Sequence, residues 1–284
     1  MNILNNLSVK MKLSLLLVFP ILGLLIFASM QSRNYYDNYD SMQKLQTVTT
    51  LSTKISSLVH ELQKERGMTA GFIGSKGVNF KDAMPNQRET TNQKRKEFQI
   101  FLQTMDLSQY GTAFNALLNN SLSRLKQLDS TRNKISSLSI GGKDAISYYT
   151  NMNGSFIEVI RTSATFSPNT SMAQQLNAYT NFLLAKERAG VERAVGAVTL
   201  AANNFLPGMK KKFNKLIFEQ NAYMHSFEKL SNQITKEYYQ KTVQGKAINE
   251  VNRIRKSLLN TDKKEAIVLQ MKELVGYGGF IHNF

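Results

Sequence analysis

Residues Leu13 to Ser32 form twenty consecutive positions without a charge, LSLLLVFPILGLLIFASMQS, and residues 34–66 beyond them contain neither Pro nor Gly. At about 1.5 Å per residue the apolar run is about 30 Å long as a helix, the thickness of a bilayer core. A cleaved signal peptide would have a shorter apolar core ending at a small-x-small site, and the nearest candidate, Ala28-Ser29-Met30, ends in a bulky residue. An uncleaved anchor is therefore expected, and Pro20 does not argue against it, because membrane helices tolerate Pro. Lys10 and Lys12 precede the run, and no acidic residue occurs before Asp37. The positive-inside rule then places Met1 in the cytoplasm and everything after Arg33 outside it, in the periplasm of an inner membrane. The expected division is residues 1–33 as cytoplasmic tip and anchor, and 34–284 as one periplasmic unit. No second run of this kind follows.

Beyond the anchor the apolar spacing is helical. Met42, Leu45, Val48, Leu51, Ile55, Leu58 and Leu62 recur at steps of three and four, so they line one face of a helix continuous with the span. Breaks are predicted at Gly74, Gly77 and Pro85, at Gly141-Gly142, at Ser167-Pro168-Asn169-Thr170-Ser171, at Leu206-Pro207-Gly208, and at Asn260-Thr261-Asp262. Four Pro in 284 residues agree with long helices. The fold class expected is all-α: a transmembrane helix followed by one or two up-down bundles of about six to eight helices.

The chemistry of enzymes is hard to place on this chain. It has no Cys, only three His (His60, His225, His282), no G-x-S-x-G, no Walker loop and no H-E-x-x-H. His60-Glu61 begins a zinc motif, but position 64 is Lys. No enzyme activity, cofactor or metal is expected. The formal charge of +16 asks for an anionic partner or reflects a basic surface. Nucleic acid fits poorly with a domain held outside the cytoplasm, and only Lys210-Lys211-Lys212 makes a tight basic run.

Two segments stand out: Glu61 to Gly74, containing KERGMTAG, and Ala185 to Ala197, containing KERAGVERA. Lying 122–127 positions apart, they can face each other across a bundle. By steps of three and four, Ile55, Leu58, Leu62, Arg66, Thr69 and Ile73 share one face, so Arg66 stands in the apolar stripe. The same count groups Phe182, Ala189, Arg193, Gly196, Ala197 and Leu200, which puts Arg193 where a Leu would be expected. Arg188 lies about 140° round that helix from Arg193, so the two cannot both point into one cavity. A guanidinium in a core needs an anion. One reading pairs each with a carboxylate, Glu65, Glu187 or Glu192, necessarily between helices, since adjacent residues on a helix do not face each other. The other holds a small bound anion between two arginines, whose planar donors suit a flat oxyanion. Gly67, Ala70, Gly71, Ala189, Gly190 and Gly196 would leave room for it, and equally permit close packing of helices.

These segments resemble the nitrate- and nitrite-sensing domain of bacterial receptors. The resemblance rests on Leu58 to Phe72, LVHELQKERGMTAGF, and on Gly190-Val191-Glu192-Arg193-Ala194, and covers about residues 50–250. It implies an all-α sensor for nitrate or nitrite, dimeric, with Arg66 and Arg193 as ligands and Arg188 as a second-rank candidate. Asn6 to Leu13 also looks like the start of a chemotaxis transducer, and the ending GYGGFIHNF resembles an internal stretch of longer receptors. The function expected is thus a membrane chemoreceptor's ligand-binding domain, given short of its signalling region. It would bind nitrate or nitrite through Arg66, Arg193, Arg188, Gly67 and Ala70 and pass a helix shift to the membrane. The alternative is a helical interaction module whose buried arginines are satisfied internally.

Overall fold

The computed structural model describes residues 8–167, 169–201, 204–205 and 207–260. Pro168, Leu206, the caps at Thr261 and Asp262, and the closing stretch lie outside them, as do the side chains of Ala197 and Leu200. Among the described residues the fold is entirely helical, with nine α-helices and two short 3-10 turns.

One helix, α1, runs unbroken from Val9 to Gly74. Ser8 caps it, its hydroxyl accepting from the Met11 amide. Its first part is long and apolar enough to cross a membrane, and none of that apolar stretch is buried. Burial starts at Leu45 and continues through Val48, Leu51, Ile55, Leu58 and Leu62, the stripe expected from the spacing except for its first member, Met42, which stays exposed. The helix stops at Gly74, where the Gly77 amide turns back to the Phe72 carbonyl with φ +89° at Gly77.

The chain then returns. α2 (Met84–Gln103) has Pro85 in its first turn and runs antiparallel to α1, with Gln87 on Glu61 and Lys54 on Glu97. α3 (Gly111–Lys126) and α4 (Leu128–Ser136), joined at Gln127, run back along α2, pairing Arg95 with Asp129 and Arg88 with Ser136. α5 (Gly142–Thr162) descends beside α1, where Tyr149 meets Glu65 and Ser163, just past its end, meets Ser52. These helices close over one core that includes Leu51, Leu58, Leu62, Phe98, Phe114, Leu125 and Phe156, with Phe98 and Phe156 edge to face at 5.5 Å.

α6 (Thr170–Ala201) is shared between two cores. Leu183 enters the first, while Val191 and Val195 enter a second with Phe213 and Leu216 of α7 (Met209–Leu230) and Ile254 and Leu258 of α9 (Lys246–Asn260). A short α8 (Gln233–Thr242) folds back on α7, Tyr239 against Phe227. Residues 60, 63, 66 and 67 of α1 meet 186, 187, 190 and 193 of α6 in that order, so these two helices run parallel. The expected antiparallel order therefore holds between α1 and α2 and between α6 and α7, but not between α1 and α6, which the chain reaches by an even number of reversals.

Candidate functional site

The two segments singled out by sequence lie side by side on α1 and α6. Among the described residues Arg66 is the largest of the fully buried side chains, only 1% exposed, and it occupies the stripe position between Leu62 and Thr69. Its Nη1 donates to Thr150 Oγ1 on α5 at 3.0 Å and to Glu187 Oε1 on α6. Gln63 Nε2 donates to the other Glu187 oxygen at 2.7 Å. The second terminal nitrogen of Arg66, Nη2, is buried with no hydrogen-bond partner. It lies over the backbone of α6 at Gly190, where an added Cβ would stand 2.6 Å from it.

Arg193 answers from the other helix. Its guanidinium lies over Gly67 of α1, where a Cβ would stand 2.8 Å from Nη2. Among the described residues it has neither a carboxylate nor a hydrogen-bond acceptor. Burial and then repulsion by Arg66 lower its affinity for a proton, the signature of a cation crowded by a like charge. Gly67 and Gly190 therefore make room first for the arginines themselves, which cross the two helices in opposite directions. Gly71 likewise makes room for the ring of Phe80, whose atoms would come within 2.4 Å of a Cβ there. Ala70, one turn beyond Arg66, is half-buried.

The glutamates beside each arginine in sequence pair with other helices. Glu65, with no exposed surface, takes a bidentate pair from Arg132 of α4, both bonds 2.7 Å, and a hydrogen bond from the Tyr149 hydroxyl at 2.8 Å. Burial, and then the Glu65 charge, push the Tyr149 phenol well above its ordinary range, so it stays a donor. Glu192 takes the matching pair from Arg255 of α9, both bonds 2.7 Å, and a hydrogen bond from Gln220. Each clamp fixes the roll of its helix, one residue from an arginine of the site. Arg188 is turned away from Arg193: it pairs with Glu219 and lies 5.8 Å from the ring centre of Tyr223, both on α7. The structure thus brings Arg66, Arg193 and Gly67 together and leaves Arg188 outside.

The choice between internal pairing and a bound anion comes out split. Arg66 has an in-protein carboxylate; Arg193 has none among the described residues. Thr150, Gln63, Arg132 and Arg255 carried no signal in the sequence beyond the general need of buried glutamates for cations. Among the described residues no group of three or more His, Asp or Glu side chains could hold a metal ion. An open groove on α7 and α8, lined by His225, Glu228, Lys229, Lys236, Tyr239 and Gln240, contains neither arginine of the pair.

Comparison with known proteins agrees with this architecture. The fold is similar to a solved structure described as that of the NasR transcription antiterminator, with a TM-score of 0.77 and 19% identity, over 90% of this chain and 72% of that one. No curated protein matches the chain. The model of the nitrate and nitrite sensing family matches residues 57–274, a span that contains both arginine segments, the last part of α1 and all of α2 to α9. The chain belongs to the nitrate and nitrite sensing family.

Proposed function

We propose that this protein is the sensor part of a membrane chemoreceptor and binds nitrate or nitrite between Arg66 and Arg193. The observation that carries this reading is the arginine pair itself. Two guanidinium groups converge in a largely buried seam, one with an unpartnered nitrogen and the other with no counter-charge among the described residues. Leaving a buried donor unmade costs about 1–3 kcal/mol, and more for a charged group. A small oxyanion placed between them would accept from both and cancel the repulsion. Planar nitrate and bent nitrite suit the flat guanidinium edge.

Transmission follows from α1. The helix that carries Arg66 is the one that carries the apolar segment, and from Ser32 to Arg66 it spans about 50 Å without a break. In this reading Met1 is cytoplasmic and the bundle periplasmic. Ligand draws α6 toward α1 at Arg193, and the shift reaches the membrane along one rigid rod. A ligand can do this only to the extent that it binds one arrangement better than the other.

The test is calorimetric titration of the full chain in detergent micelles with nitrate and nitrite, with chloride as control. Saturable heat from nitrate or nitrite that chloride does not reproduce is expected, and Arg193→Ala should abolish it with helical content unchanged. Full affinity in Arg193→Ala would overturn the assignment of the site.

A further inference from the structure

The gap between α1 and α6 carries a definite charge balance. Arg66 and Arg193 bring two positive charges; Glu187 brings one negative. Glu187 is 1% exposed, and both of its oxygens are engaged, one by Arg66 and one by Gln63. Most of the charged side chains around this trio are matched elsewhere. Glu65 is held by Arg132 and approached by Arg88, Glu192 by Arg255, Arg188 by Glu219, and Glu61 by Lys64. Lys186, the residue before Glu187, lies 3.0 Å from the His60 ring and has Glu61 and Glu187 as its electrostatic partners. Within the gap itself the two arginines and Glu187 sum to a single positive charge, while Lys186 shares Glu61 with Lys64 and Glu187 with Arg66.

We infer that Glu187 sets the valence of the ligand: it makes the arginine pair a site for a monoanion and rejects dianions such as sulfate. The inference rests on the anion-binding reading above. Hydrogen bonding alone would not discriminate, because sulfate offers guanidinium groups the same kind of oxygen acceptors as nitrate. Charge does. A monoanion brings the trio to neutrality, whereas a dianion leaves one negative charge buried without a partner, which a low-dielectric seam penalises heavily. Glu187 also occupies Nη1 of Arg66 and leaves Nη2, buried and without a partner, as the nitrogen a ligand would have to engage. Its part in the site is thus both to subtract a charge and to choose the edge of Arg66 that meets the anion.

The experiment titrates the full chain in detergent micelles with nitrate and with sulfate, then repeats both on Glu187→Gln, which removes the charge but keeps the size and the acceptor for Arg66, with Gln63 turning its amide to accept from the new NH2. The unaltered chain should bind nitrate, and a hundredfold excess of sulfate should not displace it. Glu187→Gln should shift the preference toward sulfate by at least tenfold. If nitrate binds the unaltered chain and sulfate displaces it at comparable concentration, the valence inference is wrong and the nitrate site stands. The valence inference is equally wrong if Glu187→Gln is folded by circular dichroism and keeps the original preference. Should that variant not fold, the competition on the unaltered chain decides alone. If the unaltered chain binds neither anion, the nitrate reading falls and takes this inference with it.

Discussion

The two arginines of the site stand on very different ground. Arg66 belongs to the first bundle, whose core holds twenty-three buried apolar residues among those described; the second core, behind Arg193, holds six. Arg66 is bonded to α5 and α6, and its helix is clamped by Glu65 and Arg132. Arg193 has a clamp one residue away but, among the described residues, no bond of its own. Depth of packing and number of partners rise together, so the same residue type serves as a fixed wall on α1 and as a movable group on α6. A sensor needs both: a rigid reference and a part whose position the ligand can change.

Stability is where this contrast should be largest. Arg66→Ala removes one partner of a buried pair and leaves the Glu187 carboxylate without its hydrogen-bonded cation, a break that typically costs about 3–5 kcal/mol. Arg193→Ala removes a cation repelled by its neighbour, and its stability should stay within about 1 kcal/mol of the parent. Denaturant unfolding of the two variants checks this. Equal losses would mean that Arg193 has a counter-charge and that the asymmetry between the arginines is wrong.

Core truncation should show the same order. Leu58 has no exposed surface and lies within the larger core, so Leu58→Ala should fall at the upper end of about 2–5 kcal/mol. Leu258, 1% exposed in the smaller cluster, has fewer neighbours to keep a cavity open, so Leu258→Ala should cost about 2 kcal/mol. The measurement is again denaturant unfolding, read at the transition to which each residue belongs. A costlier Leu258→Ala would show that the second bundle, not the first, is the rigid reference.

Much of the fold was legible because its signals are local. The absence of Pro and Gly from 34 to 66 announces the continuity of α1, and Gly74, Gly141 and Gly208 mark breaks that the structure keeps. Arg66 and Arg193 could be read as intruders in apolar stripes, since three- and four-residue steps are enough to place them. The partners could not be read. Arg66 finds Glu187 across 121 positions, Arg132 finds Glu65 across 67, and Arg255 finds Glu192 across 63. Nothing in the spacing says which buried carboxylate meets which guanidinium. The same holds for Arg188, whose angle to Arg193 shows that only one of them faces the gap, while the choice is made by Glu219 on α7. The double role of α6 was hidden because its apolar residues serve two cores, which blurs any single stripe.

The glycines beneath the two arginines give the finest probe of fixed wall against movable group. An Ala inside a helix is favoured over Gly by about 1 kcal/mol when nothing obstructs its methyl group. At Gly67 the obstacle is Nη2 of Arg193, 2.8 Å from the new Cβ, at the end of a side chain with no bond among the described residues to hold it there. Arg193 can swing aside, so Gly67→Ala should retain part of the helical gain and be neutral or slightly stabilising. It should also weaken nitrate binding, because the displaced guanidinium no longer faces Arg66. At Gly190 the obstacle is Nη2 of Arg66, 2.6 Å away, on a guanidinium tied to Thr150 and Glu187 and sealed in the core. That group has nowhere to go, so Gly190→Ala should cancel the helical gain and destabilise the chain by about 1 kcal/mol or more. Chemical unfolding of the two variants side by side reads the difference directly. Stabilisation in both would mean that Arg66 yields as easily as Arg193, and that the pair has no fixed member.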